Sequence, residues 1–171
     1  VPVYKDLTAY DDSKAYMNDG GAKGKELAAK YVAAVEKFDA AYAKFNETLN
    51  KVNAEQSKKQ IEKLKKDGKK GYAAAMESTL RLTELVDKLE KAPQNADKAA
   101  VEKELSEIEA LLKSINNDRG QVLADRYNSV VGDVRQVLAD PSDNNLNNMI
   151  EGFNGYIDTY NSTTPDQFDA K

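Results

Sequence analysis

The chain has 171 residues, 40% of them hydrophobic and 32% charged, and a net charge of −4. This length suits one domain that buries roughly two-thirds of its unfolded surface, and the acidic balance argues against nucleic acid as a partner. The chain has neither cysteine nor histidine, which excludes disulfides, histidine-based triads, most zinc sites and di-iron sites built on Glu-x-x-His. No apolar run approaches the ~20 residues that span a bilayer.

Residues 1–21 contain Pro2, Gly20 and Gly21, and their apolar residues keep no sustained period. We therefore predict an irregular N-terminal arm. The chain begins with Val1 rather than methionine. We expect a processed product, with any signal peptide or lipid-bearing cysteine lying upstream.

A helical pattern begins at about Ala22. One apolar residue recurs every three or four positions over eight turns: Leu27, Tyr31, Ala34, Phe38, Tyr42, Phe45, Leu49 and Val52. Such a stripe is typical of an amphipathic helix, here about 45–50 Å long. Near the end of this stripe, a helix break or cap is indicated at Asn50, Asn53 and Ser57.

A second stripe runs from Ile61 to Leu89, and Gly68 and Gly71 weaken it. These glycines indicate a kink or a close helix contact, and Pro93 ends the element. Three more helices are predicted, over about residues 96–115, from the turn-like cluster 116–120 to Pro141, and from a cap at Ser142 or Asp143 to about residue 162.

No segment alternates with a period of two, so we predict an all-α fold. Its architecture is an up-and-down bundle of four to five long amphipathic helices with coiled-coil-like packing. The predicted organisation is the irregular arm at 1–21, the helical bundle at 22–162 and a loose C-terminal tail at 163–171.

Aromatic–asparagine pairs recur along the chain, at Phe45-Asn46, Tyr127-Asn128, Phe153-Asn154 and Tyr160-Asn161. One interpretation is a groove in which tyrosine hydroxyls and asparagine amides orient a ligand. Its candidate residues are Tyr127, Asn128, Tyr156, Tyr160 and Asn161. The other interpretation, which the pattern favours, is that the rings fill the core while asparagine amides bond across helices and set the register.

Seven lysines crowd residues 58–70, and four of them recur at helical spacing: Lys59, Lys63, Lys66 and Lys70. Such a face could contact an anionic lipid surface, lipopolysaccharide or an acidic partner. Glu62 and Asp67 interrupt the positive charge, and a solvated helix face is the simpler interpretation.

The helix at about 96–115 carries four glutamates, Glu102, Glu104, Glu107 and Glu109. Carboxylates at such spacing can bind hard cations, but pairing with lysines of the same helix explains them more simply. No calcium loop or phosphate loop motif occurs. We therefore predict no catalytic residue, no metal and no cofactor, and a protein that is not an enzyme.

Three stretches carry a family resemblance: residues 61–69 followed by Tyr72, the acidic helix 101–112, and the closing aromatic–asparagine repeat 146–161. Over roughly residues 25–161 the chain resembles the YiiG-like family of bacterial envelope lipoproteins, whose domain has no assigned function. The resemblance implies a helical domain, export to the cell envelope and attachment to a membrane through a lipidated cysteine upstream of this chain.

These observations favour a non-enzymatic interaction or scaffolding domain of an envelope lipoprotein. Its partner would be a protein or another envelope component, with no nucleic acid involved and with membrane attachment only through the upstream anchor. The alternative is a helical bundle that binds a small molecule or glycan in a groove lined by tyrosine and asparagine.

Overall fold

The computed structural model describes residues 2–170 and confirms the all-α fold, with no strand among those residues. Its helices are α1 (Pro2–Asp12), α2 (Tyr16–Asp19), α3 (Ala22–Lys66), α4 (Lys70–Lys91), α5 (Lys98–Lys113), α6 (Asp118–Ala139), α7 (Asp143–Asn161) and α8 (Pro165–Phe168). A 3-10 turn, Pro93–Asn95, joins α4 to α5. The chain divides between residues 53 and 54 into two compact units, which we call unit 1 and unit 2.

In unit 1, the arm that was predicted to be irregular is helical. Pro2 begins α1, a position that suits proline because its φ is preset and its missing N–H is not needed there. Gly20 and Gly21 follow α2 with φ of 61° and 83°, a left-handed turn that favours glycine. The carboxylate of Asp19 holds this turn, accepting the Tyr10 hydroxyl at 2.6 Å and the Gly21 N–H at 2.8 Å. The glycines therefore end a helix and do not mark an irregular arm.

The predicted break in the first long helix is absent. α3 continues from Ala22 to Lys66 without interruption, so Asn50, Asn53 and Ser57 neither break nor cap it. The chain turns instead at Gly68, whose φ of 79° again suits glycine. The two glycines were expected to mark a kink or a close helix contact. Gly68 lies in the turn between α3 and α4, and Gly71 lies in close contact with the backbone of Phe168.

Unit 2 is built around a four-helix bundle. α4 packs on α5, α5 on α6, α6 on α7, and α7 returns to α4, while the short connections make sequential neighbours antiparallel. The final turns of α3 lie along α4, since Lys65 Nζ is 2.8 Å from Glu77 Oε2 and Ile61 is buried. Residues at most 2% exposed fill the core: Leu82, Leu89, Leu105, Ile108, Leu112, Leu123, Val130, Val134, Val137 and Met149.

Three of the four bundle helices, α5, α6 and α7, begin at a residue whose side chain caps them. Asp97 accepts the N–H of Ala99 at 2.9 Å, Asn117 accepts that of Gly120 at 2.9 Å, and Ser142 accepts that of Asn145 at 3.4 Å. Each cap satisfies a backbone donor that the helix leaves without a partner. The predicted cap at Ser142 is confirmed.

The predicted loose C-terminal tail is packed over residues 163–170. Phe168 is only 2% exposed, and its ring lies 6.1 Å from the rings of both Tyr72 and Tyr160. The side-chain N–H groups of Asn117 lie 2.9 Å from the carbonyl oxygen of Phe168 and 3.1 Å from that of Ala170. Partners far away in sequence thus hold this short segment, whose own residues contribute only the capping box of α8 between Thr164 and Gln167.

Candidate functional site

Two of the predicted groove residues lie in the core of unit 2. Tyr127 and Tyr156 are 1% and 0% exposed. The Tyr127 hydroxyl donates to the carbonyl oxygen of Leu105 at 2.5 Å, and the Tyr156 hydroxyl is hydrogen-bonded to Ser78 Oγ at 3.1 Å. Burial raises the pKa of both phenols. Each hydroxyl therefore joins two helices of the bundle and satisfies a buried polar group.

The other three groove candidates do not converge with those tyrosines. Tyr160 is half-buried and stacks on Tyr72 and Phe168, while Asn128 and Asn161 are exposed. The five residues consequently do not line one common groove. The favoured structural interpretation applies only to the rings in unit 2, because Asn147, Asn154 and Asn161 all face solvent and Phe45 of unit 1 is exposed.

The four candidate lysines are exposed on the surface of unit 2. Lys59, Lys63 and Lys66 lie on the last turns of α3, whereas Lys70 begins α4 beyond the turn at Gly68. The set therefore does not form one continuous helix face. None of the four makes an ion pair with another residue in the described part of the chain.

The glutamates of α5 are paired mainly with neighbouring helices. Arg81 of α4 contacts Glu104 through Nε at 2.7 Å and through Nη2 at 2.9 Å, and it also contacts Glu107. Arg135 of α6 makes the same two-point contact with Glu102, at 2.9 and 2.8 Å. These hydrogen bonds lower the pKa of Glu102 and of Glu104. The spacing within α5 predicted pairing with lysines of the same helix and does not reveal either arginine, because Arg81 and Arg135 lie on other helices.

A row of exposed apolar side chains runs along α3 within unit 1. We call it the α3 seam; it comprises Tyr31, Val35, Phe38, Tyr42, Phe45, Leu49 and Val52. Phe38 is 67% exposed, Tyr42 56% and Phe45 61%, and the first two rings stack at 6.0 Å with 9° between their planes. Six members of the seam belong to the stripe that the sequence predicted as a packed face of the bundle, and the structure leaves five of those six between 43% and 67% exposed.

A separate cleft lies between α4 and α5 in unit 2. Its volume is about 620 Å³, with an apolar floor that includes Leu85, Leu89 and Val101 and a rim that includes Lys88 and Asp97. Volumes of this order are usual for small-molecule sites. None of the five predicted groove residues lines this cleft.

A comparison with known protein families finds one family that matches most of the chain. Residues 1–140 match the family described as "Protein of unknown function (DUF3829)". The chain belongs to this family. The matched region of the DUF3829 family takes in the N-terminal helices and ends where α6 ends, before the closing aromatic–asparagine repeat. No curated protein and no solved structure matches the chain.

The description of the DUF3829 family includes no activity, compartment or anchor, so export and lipid attachment stay predictions. None of the described helices combines the length and apolarity needed to cross a membrane. Within residues 2–170, acidic side chains form no group that could hold a metal ion.

Proposed function

We propose that this chain is a non-enzymatic interaction or scaffolding domain that binds its partner through the α3 seam. The observation that carries the proposal is the exposure of the seam: six of its large apolar side chains are between 38% and 67% exposed in one row. Single exposed apolar residues are ordinary on protein surfaces. A contiguous apolar patch is typical of a binding surface.

The arrangement of the seam supports helix-on-helix recognition. Its residues recur at intervals of four and three, the spacing with which one helix packs along another. Aromatic side chains such as Phe38 and Phe45 add large contact areas with few rotatable bonds, which suits binding surfaces. Unit 2, in contrast, covers its apolar helix faces with its own bundle.

The test is in-cell crosslinking of the tagged protein, followed by identification of the crosslinked species, other copies of the chain included. The double variant Phe38→Glu/Phe45→Glu is expected to lose the adducts that the wild type forms. Ala40→Glu, on the opposite side of α3, places the same charge away from the seam and is the matched control. Equal adducts in all three proteins would contradict the proposal, as would turnover of a defined substrate by the pure protein.

We further propose that the domain belongs to a protein of the cell envelope whose precursor receives a lipid anchor. This proposal rests on the family resemblance. Incorporation of a radiolabelled fatty acid into the full-length precursor, and its loss when the candidate lipidated cysteine is changed, tests this part. A precursor that takes up no fatty acid would contradict it. That outcome would leave the role of the α3 seam untouched.

A second candidate function is small-molecule or glycan binding in the cleft between α4 and α5, which its volume favours. Ala100 lines this cleft from α5, and Ala100→Trp would fill it. Ligand-observed NMR with a set of mono- and disaccharides is expected to show binding to the wild type and none to the variant. Saturation-transfer signals of equal size in both would exclude the cleft.

A further inference from the structure

We infer that the occupant of the α3 seam is the α3 seam of a second copy of this chain. The inference rests on the proposed function and specifies the partner. Three properties of unit 1 carry it: the register of the seam, the charge of its flanks and the area that it offers.

The register of the seam is that of a coiled coil. Written as a heptad, Val35, Tyr42 and Leu49 take position a, and Tyr31, Phe38, Phe45 and Val52 take position d. Every core position over three heptads is therefore apolar, as required for two helices to pack along a shared seam. The row is ~32 Å long at 1.5 Å per residue. Tyr4 of α1 lies against Tyr31, the first residue of the seam, with 6.2 Å between the two rings.

The flanks of the seam suit a copy of itself. Positions e and g, which border the seam and select partners by charge, are occupied by Val32, Ala34, Asp39, Ala41, Asn46, Thr48 and Asn53. Asp39 is the only charged residue in that set, so two copies would meet without opposing rows of like charge. The charges of this stretch lie on the outer positions, at Glu36, Lys37, Lys44, Glu47 and Lys51.

The charge balance of the whole unit points the same way. Residues 1–53 contain eight basic and eight acidic side chains, so the net charge of −4 belongs entirely to residues 54–171. A neutral unit opposes self-association less than a charged one does. A foreign partner of marked charge would find no complementary surface on the flanks of the seam.

The available area reaches the lower limit for a specific dimer. A buried aromatic side chain removes 150–250 Å² from water, so Phe38, Tyr42 and Phe45 at their exposures each offer roughly 100 Å² or more. Counted on both copies together with Val35, Leu49 and Val52, pairing buries on the order of 1,000 Å². Specific interfaces begin at about that size.

The experiment is sedimentation equilibrium of the pure full chain over about 1 to 100 μM, the range in which a micromolar dimer dissociates. The wild type is expected to approach twice its 18.9 kDa mass. Phe45→Glu places a charge at the centre of the seam and should weaken the dimer at least about 30-fold, as for a hot-spot residue. Ala40→Glu should dimerise like the wild type, and equal helical circular dichroism confirms that the variants fold.

The sedimentation and crosslinking results together separate failure of the second-copy inference from failure of the interaction function of the α3 seam. A wild type that stays monomeric throughout, or a Phe45→Glu variant that dimerises as well as the wild type, overturns the second-copy inference. If the chain is monomeric while the seam variant still loses adducts in cells, the interaction function stands with a different protein as partner. If the adducts are also unchanged, both proposals fail.

Discussion

The carboxylate of Asp169 accepts the backbone N–H of Gly71 at 2.7 Å, across 98 residues of sequence. Gly71 lies in the first turn of α4, where backbone N–H groups have no partner within the helix. An acidic side chain at this end also opposes the positive end of the helix dipole. The C-terminal segment thus caps a helix from outside, with Phe168 packed beneath it.

Gly71→Ala is expected to destabilise unit 2 by about 1–3 kcal/mol, the usual cost of forcing an extra group into a packed site. A β-carbon at this position would collide with the carbonyl oxygen of Phe168. Gly132→Ala is the matched control, because open space surrounds that helical glycine, and it should stabilise by about 0.5–1 kcal/mol. Urea denaturation followed by circular dichroism measures both, and equal effects would disprove the close contact.

The two roles of Asn117 can be separated by substitution. Asn117→Asp keeps the oxygen that caps α6 at Gly120 but loses the N–H donors to the carbonyl groups of Phe168 and Ala170. We expect faster hydrogen exchange at the Gly71 and Tyr72 amides, which donate to the Asp169 carboxylate. Exchange in α6 should be unchanged. Asn117→Ala should add about 1 kcal/mol of destabilisation from the lost cap. Unchanged exchange at Gly71 in Asn117→Asp would contradict this role.

The two arginine–glutamate contacts should differ in strength. The side chains of Arg81 and Glu104 are 24% and 34% exposed, against 58% and 44% for Arg135 and Glu102. Double-mutant cycles with Met and Gln replacements are expected to give a coupling energy of about 1–2 kcal/mol for the first pair, because its charged hydrogen bonds are better shielded from water. The second pair should give a smaller coupling energy, and one that weakens more with salt. Equal coupling energies would contradict this ranking.

Asp133 should make stability depend on pH. Its carboxylate lies against α7, where a β-carbon on Gly152 would come within 2.6 Å of Oδ2, and burial raises its pKa above the ordinary 3.8. The folded state therefore keeps this proton where the unfolded chain has lost it, so stability decreases as the pH rises from 3.8 through the folded pKa.

Asp133→Asn is expected to raise the melting temperature at pH 7 and to leave it nearly unchanged below pH 3.8. Glu151→Gln removes one charge from an exposed position of α7 and should show no such difference. Differential scanning calorimetry from pH 3 to pH 7 measures both variants. An Asp133→Asn variant that is less stable than the wild type at pH 7 would contradict the burial cost.

Most boundaries of the bundle helices were predictable because their signals are local, but the start of α4 at Lys70 was not, since the sequence pattern placed Ile61 to Leu89 on one element. The helix that ends before Pro93, the turn at residues 116–120 and the cap at Ser142 all appear where the sequence indicates them. Proline, glycine and capping side chains act within a few residues of their own position. The N-terminal arm was missed because its proline, its two glycines and its lack of a sustained apolar period were weighed above the helix-forming residues that precede the glycines.

The candidate site was less predictable, because its parts depend on distant residues. The aromatic–asparagine repeat is visible in the sequence, but only the packing of α4 and α5 shows that the Tyr156 and Tyr127 hydroxyls are already bonded. Arg81 gave no sequence signal, since its glutamates lie on another helix.

The sequence by itself determined that this chain is helical, where α5, α6 and α7 begin and end to within a few residues, and which helix faces are apolar, because helix hydrogen bonds and heptad spacing are local. The tertiary structure alone decided which apolar faces are covered. Leu82 and Phe38 lie on equally regular stripes, yet Leu82 is 0% exposed and Phe38 is 67% exposed. Burial depends on what packs opposite a side chain, and no local spacing records that.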